Sequence, residues 1–360
     1  MNRLSAWLIV LYLVSCLTPA HAASVNGQTY VPLMEWARAN GLKCCWLRYG
    51  DEIVATNRTT RLIFERNSRT ANVNGVNVML SFPVAVDKGT PYIAQLDLNT
   101  TIRPLIYPPR ADARRITTIC LDPGHGGKDT GNHTFWHSEK TYTLALALEL
   151  RDQLVKAGFN VILTRSKDTY VELPDRPALA NRRGADLFVS LHFNATQVGR
   201  DQVQGPETYC ITPVGASSSN AQGEGSNYGP TTANRVEQKS LLLAYQMEKS
   251  LVQNLGVPDR GVRRARFAVL RDATMPAILI EGGYMTHPEE SKRIYNAINR
   301  RQMALAIVRG ILAYQKLTSP PPPPAPAPAI HRPVVPLTPR PAVSPADRTV
   351  IKVQPATNWQ

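Results

Sequence analysis

Acid is scarce in this chain. Its 360 residues carry 41 Lys and Arg against only 27 Asp and Glu, a formal net charge of +14. Such an imbalance points to an acidic partner: nucleic acid, an anionic membrane surface or a carboxylate-rich cell wall. A soluble basic protein with no polyanionic partner is the plain alternative. Cysteine is sparse too, at five residues, and the spacing forms neither a CxxC pair nor a zinc ribbon. Adjacent Cys44 and Cys45 could close only a strained ring. Cys120, inside an apolar strand, reads as a packing residue, and a Cys120–Cys210 bridge stays open. The apolar run from Leu4 to about Val14 is too short to span a bilayer comfortably. Hydrophobic residues make up 43%, as in an ordinary globular protein, but 29 prolines do not fit that picture, and many follow Ser319.

The short apolar run has another reading. A basic start, Met1-Asn2-Arg3, precedes it, and Ala20-His21-Ala22 then offers a small-x-small cleavage site. This is the grammar of an export signal over residues 1–22. Leu13-Val14-Ser15-Cys16 resembles the lipobox of bacterial lipoproteins, which would place lipid on Cys16 and tether the chain to a membrane. Either way the mature protein is expected outside the cytoplasm, in the periplasm or cell envelope, and export disfavours nucleic acid as the partner.

Three compositional zones follow. Residues 24–109 read as a small β-rich domain of short strands, with Asn74-Gly75 as a two-residue hairpin turn and one helix over Met34–Asn40. Residues 115–317 alternate strands and helices: a strand at Ile116–Leu121, a helix at Tyr142–Ala157, strands at Asn160–Thr164 and Asp186–His192, and helices at Arg176–Arg183, Arg235–Leu255 and about Glu289–Gln315. That alternation predicts an α/β fold, a mostly parallel sheet with helices on both faces. Gly215–Thr232 reads as a long surface loop, and the Pro-rich residues 318–360 as an extended, disordered tail.

In parallel sheets chemistry gathers at the carboxyl ends of strands. There the first strand runs into Asp122-Pro123-Gly124-His125-Gly126-Gly127, another into His192-Phe193-Asn194, and a third into Glu281-Gly282-Gly283, while Glu139 opens the Tyr142 helix. Two His and one Glu suit catalytic zinc, with the fourth position left to water. A further carboxylate must take the water's proton and pass it to the leaving amine, and Glu281 is the candidate. Singly each is weak: a lone His after a strand is usually structural, and Glu139 could be a charge in the first helical turn. The glycine-rich turn is neither GxGxxG nor GxxxxGK[ST], which argues against phosphate binding.

In order, Leu121–Gly127, Glu139-Lys140, Leu163-Thr164-Arg165, Ala180-Asn181, Ala185–Ala195 and Ile280–Gly283 resemble the successive motifs of the zinc N-acetylmuramoyl-L-alanine amidases. The resemblance covers about residues 115–317 and implies a sheet of about six strands between helices. It also implies zinc on His125, Glu139 and His192, and catalysis by Glu281 on the amide joining N-acetylmuramic acid to L-alanine in peptidoglycan. Some cell-division members carry a segment that covers the zinc until an activator protein displaces it, so autoinhibition by Gly215–Thr232 or the helix after it is an open expectation. The N-terminal zone resembles the copper amine oxidase N-terminal module, without metal ligands.

Other residues carry a functional and a plain reading side by side. Asn194 could position substrate or cap a turn, and Arg176 and Arg165 could meet stem-peptide carboxylates or form structural salt bridges. His133 and His137 read as exposed loop residues before metal ligands. Glu207 lies near another strand, and Arg263, Arg264 and Arg266 form solvated charge or a wall-facing patch. The rival functions are a zinc peptidase acting within the stem peptide and a wall-binding protein without activity. The tail reads as a spacer or as a ligand for a partner domain.

Overall fold

The computed structural model describes residues 23–25, 27–109, 115–134, 136–220 and 229–319. The expected export signal over residues 1–22 with its lipobox-like Cys16, the centre of the Gly215–Thr232 loop and the Pro-rich tail from Pro320 on lie outside the described residues. The described residues belong to one unit, which ends at Pro320.

The first part of the chain supplies strands β1 (Ala23–Val25), β2 (Gln28–Pro32), β3 (Lys43–Arg48), β4 (Glu52–Thr56), β5 (Arg61–Glu65), β6 (Thr70–Val73), β7 (Val76–Met79), β8 (Ala85–Asp87) and β9 (Thr90–Ala94), with helices α1 (Leu33–Ala39), α2 (Gln95–Asp97) and α3 (Arg103–Ile106). Asn74 and Gly75 both take positive φ between β6 and β7, as the hairpin reading requires. The second part supplies strands β10 (Thr118–Pro123), β11 (His133–Thr134), β12 (His137–Ser138), β13 (Asn160–Leu163), β14 (Leu187–Asn194), β15 (Glu207–Cys210), β16 (Val262–Arg264) and β17 (Ala277–Tyr284). Its helices are α4 (Glu139–Lys156), α5 (Asp175–Arg182), α6 (Glu237–Leu255), α7 (Ala268–Arg271), α8 (Pro288–Tyr295) and α9 (Ala297–Thr318).

Alternation along the strands sorts the core into two layers. Ile119, Leu121, Val189, Leu191, Ile278 and Ile280 face α4, α6 and α9, whereas Cys120, Phe188, Ala277 and Leu279 face α5 and α7. Helices thus cover both faces. The final helix read from sequence is two. Asn296 breaks it, its side chain accepting from the N–H of Ile298 at 2.8 Å and of Asn299 at 3.2 Å as a cap for α9.

The sheet itself corrects an expectation. Instead of a mostly parallel sheet of six strands, there is a mixed sheet of eleven, in the order β13-β10-β14-β17-β15-β16-β7-β6-β5-β4-β3. β13, β10, β14 and β17 are parallel, but β15 runs antiparallel to β17. β16 then pairs in parallel with β7, Val262 opposite Val78, and so joins the N-terminal strands to the same sheet. Cross-links fix this seam. Asn77 N–H donates to Asp259 Oδ2 at 2.7 Å, Tyr245 OH to Val73 O at 3.0 Å, and Arg264 Nη2 to Thr100 O at 2.7 Å. Cys120 and Cys210 are free thiols in opposite layers of the core.

Candidate active site

His125 stands just past β10 in a left-handed conformation, φ 62°. Its Nδ1 is 2.9 Å from Asp129 Oδ2, which fixes the ring and leaves Nε2 aimed at Glu139 Oε2, 3.1 Å away. His192, on β14, points Nδ1 at Glu139 Oε1 at 3.0 Å. Glu139 begins α4 and is buried. The backbone N–H of Asn132 and of Phe193 donate to its two oxygens at 2.9 and 3.0 Å. Gly131, at φ +64°, makes room for the cluster, since a Cβ there would lie 2.5 Å from His125 Cδ2 and 2.6 Å from Glu139 Oε2.

These three side chains are the described group able to hold a metal, with one ligand atom each and all within 4.8 Å of one another. Ligand atoms around a tetrahedral zinc lie about 3.3 Å apart, given bonds of about 2.0–2.1 Å. The 3.1 and 3.0 Å contacts, one on each oxygen of Glu139, are close to that spacing, and two imidazoles with a carboxylate are a donor set that zinc takes, so the residues suit such an ion. Burial alone would lower the His125 pKa, but the hydrogen bonds and charges of Glu139 and Asp129 outweigh it and raise the value. Burial would raise Glu139, yet the two imidazoles pull it far below the usual carboxylate range.

Glu281 lies on β17 opposite His192 in the ladder. Its Oε2 is buried without a hydrogen-bond partner. Burial first, then the charges of Glu139 and Glu207, hold its pKa well above the ordinary value. A cleft of about 370 Å³ brings Glu281 together with His125, Glu139 and His192, walled by Leu173, Phe267 and Val269. Were a metal ion held by this three-ligand cluster, it would supply Lewis acidity beside an unpartnered basic carboxylate, a combination suited to hydrolysis of an acyl bond.

Other expected residues fall elsewhere. Arg176 is 1% exposed. Its five N–H groups go to Asp122 Oδ1, to the carbonyls of Pro123 and His125, and twice to the Val171 carbonyl. No donor is left for substrate, so Arg176 braces the His125 turn from beneath. Arg165 is likewise spent on the carbonyls of Pro123, Gly124, Lys140 and Lys167. Asn194 sits at the end of β14, half-buried, its Nδ2 3.3 Å from Tyr284 OH. His133 contacts Ser138, and His137 stacks on Tyr295 with centroids 3.8 Å apart; neither joins the metal group. α6 packs into the core rather than over the cleft, and no described residue of 196–262 lines that cleft.

Asp129 and Asp122 escaped the sequence reading. Asp129 has a signal, an acid four residues after the first His. Asp122 was legible only as part of a motif, yet buried Asp122 gathers Arg176, Thr164 and Ser190 at 2.6–2.8 Å.

The sequence profile of the N-acetylmuramoyl-L-alanine amidases matches residues 119–313, and that of the copper amine oxidase N-terminal domain matches residues 15–102. The N-acetylmuramoyl-L-alanine amidase AmiC of Neisseria meningitidis serogroup B is 33% identical over 270 residues, 65% of this chain and 64% of that protein. AmiA of Escherichia coli K12 is 32% identical over 219 residues, 54% of this chain and 75% of that protein. A crystal structure of an N-acetylmuramoyl-L-alanine amidase from Clostridium difficile 630 is 35% identical, covering 56% of this chain and 98% of its own, with a TM-score of 0.47. The chain therefore spans just under two thirds of its Neisseria relative. With more than half of its 360 residues inside the matched region, it belongs to the N-acetylmuramoyl-L-alanine amidase family.

Proposed function

We propose that the chain is a zinc amidase that hydrolyses the amide between the lactyl group of N-acetylmuramic acid and L-alanine in peptidoglycan. The observation carrying this reading is the His125–Glu139–His192 cluster sharing one cleft with an unpartnered Glu281 carboxyl. Zinc held by these three residues supplies Lewis-acid polarisation of the scissile carbonyl and lowers the pKa of water. The chain's own residues do the rest. Asp129 fixes the His125 tautomer, the backbone N–H groups of Asn132 and Phe193 hold the Glu139 carboxylate in place, and the two imidazoles keep it ionised. Glu281, with its raised proton affinity, removes a proton from the attacking water and delivers it to the departing amine nitrogen. Leu173 and Phe267 give the cleft an apolar wall beside that transfer.

Such a substrate lies in the cell envelope, so the reading carries export with it, and the residues 1–22 signal is its means. The N-terminal domain and the net charge of +14 would hold the enzyme against an anionic wall.

The test is product analysis. Purified protein incubated with peptidoglycan is expected to release stem peptides beginning with L-alanine and to leave glycan strands intact. Release should stop on zinc chelation and fall about 10²–10⁴-fold in Glu281→Gln. Cleavage inside the stem would assign a zinc peptidase instead, and binding without product would assign a wall-binding protein.

A further inference from the structure

Glu207 is the ladder partner of Glu281, so the two side chains leave the same face of the sheet on neighbouring strands. Two residues on, Tyr209 is opposite Leu279, which lines the cleft, and its ring lies 5.1 Å from that of Phe267, another cleft residue. Arg263 on β16 is in register with Tyr209. Beyond the cleft lining, the same face of the sheet therefore continues as a wall from Glu281 through Glu207 and Tyr209 to Arg263.

Charge along this wall does not balance. Glu207 is 2% exposed and meets two guanidiniums, Arg260 through Nε and Arg263 through Nε at 3.3 Å. Tyr209 OH and Tyr284 OH also donate to it, at 2.7 and 2.6 Å. One carboxylate thus faces two cations. The buried Nε of Arg263 has no hydrogen-bond partner, and the side chains of Arg260 and Arg263 keep 28% and 19% of their surface open. Glu207 orients the pair, and one positive charge is left over beside a cleft otherwise lined by Glu139 and Glu281.

We propose that Arg260 and Arg263, held on Glu207, form a subsite for a free carboxylate on the peptide side of the scissile amide. The proposal rests on the amidase reading and deepens it. A guanidinium matches a carboxylate's two oxygens in a planar fork. Adjacent strands are about 4.8 Å apart and an extended residue spans about 3.4 Å. β16 is therefore within reach of a carboxylate one to three residues beyond the scissile nitrogen. The subsite also orients the substrate, because the peptide must run towards β16 and the sugar away from it.

The test uses two muramyl peptides that differ only in the residue after L-alanine, which carries either a free carboxylate or its carboxamide. Wild type with zinc is expected to prefer the acid about tenfold in kcat/KM, chiefly through KM. The ratio should collapse towards one in Arg263→Gln and survive in part in Arg263→Lys. A ratio near one in wild type, or an unchanged ratio in Arg263→Gln, overturns the subsite and leaves the arginines as a brace for Glu207. Should Arg263→Gln fail to fold, the wild-type ratio and inhibition by the free acid peptide over its amide decide between subsite and brace. If wild type cleaves neither peptide, the amidase reading fails; binding of the two peptides then decides, and equal affinity overturns the subsite.

Discussion

A buried pair such as Arg176 and Asp122 is worth most when one member is lost. Both are almost fully buried, and the Arg176 guanidinium ties β10 to the carbonyl of His125. Arg176→Met would leave Asp122 as an uncompensated buried charge, at a cost of about 3–5 kcal/mol. Urea unfolding of the variant checks this, and zinc titration should show weaker binding too, because the turn carrying His125 loses its brace. The raised pKa of His125 makes a second prediction. Metal must displace the proton that Glu139 and Asp129 help to hold on that ring. Affinity for zinc should therefore fall as pH drops through a value above the usual histidine range near 6.5, with proton release on metal uptake. Zinc binding measured across pH 5–8 with no such fall would contradict the ligand set. Arg176 also shows the limit of reading residues in a row. Sequence left a stem-peptide contact and a structural salt bridge open for it, whereas only the fold reveals that all five of its donors point inward.

At the scale of elements, the seam between β7 and β16 determines whether the N-terminal strands are an appendage or part of the catalytic sheet. Gly261, at φ +89°, lets the chains meet, since a Cβ there would lie 2.7 Å from Asn77 O. Gly261→Ala should cost about 1–3 kcal/mol and should lower the melting of both parts together in calorimetry; loss confined to one part would show that the seam is not cooperative. Beneath it, Glu248 is buried against Asp259 with Thr208 Oγ1 2.6 Å from Oε2. Burial, and then Asp259, push its pKa well above 4.5, so the folded state keeps a proton that the unfolded chain gives up. Stability should accordingly decline as pH rises above about 4.5, and Glu248→Gln should flatten that decline. Little of this seam was legible. The strand ends bearing His125, His192 and Glu281 announced themselves because each motif is local. The pairing of Val78 with Val262 has no local signal, and β15 is four residues long with nothing in it to declare an antiparallel direction. The period-2 pattern predicts a strand, but its neighbour is chosen by the whole chain.

Taken whole, the molecule sets an acidic site within a basic chain. Glu139 and Glu281 line the cleft and Glu207 is the ladder partner of Glu281, whereas the chain as a whole carries a formal excess of fourteen positive charges. Such diffuse charge suits attraction to an extended anionic wall more than recognition of one bond. The two roles separate experimentally because salt screens exposed charge over about 10 Å at 0.1 M and about 3 Å at 1 M. Retention on insoluble peptidoglycan should fall steeply across that range. Hydrolysis of a short muramyl peptide with its carboxylate amidated should change little, because it involves the cleft and not the basic surface. The acid form of the same peptide should lose part of its advantage, since the Arg260–Arg263 pair is partly open to solvent. Three substrates over one salt series therefore separate the charges by what they do. On the proposed reading, wall affinity would belong to the surface, carboxylate preference to the arginine pair, and bond breaking to the acids of the cleft. Salt-independent retention on the wall would remove charge as the anchor and shift that role to specific contacts of the N-terminal strands.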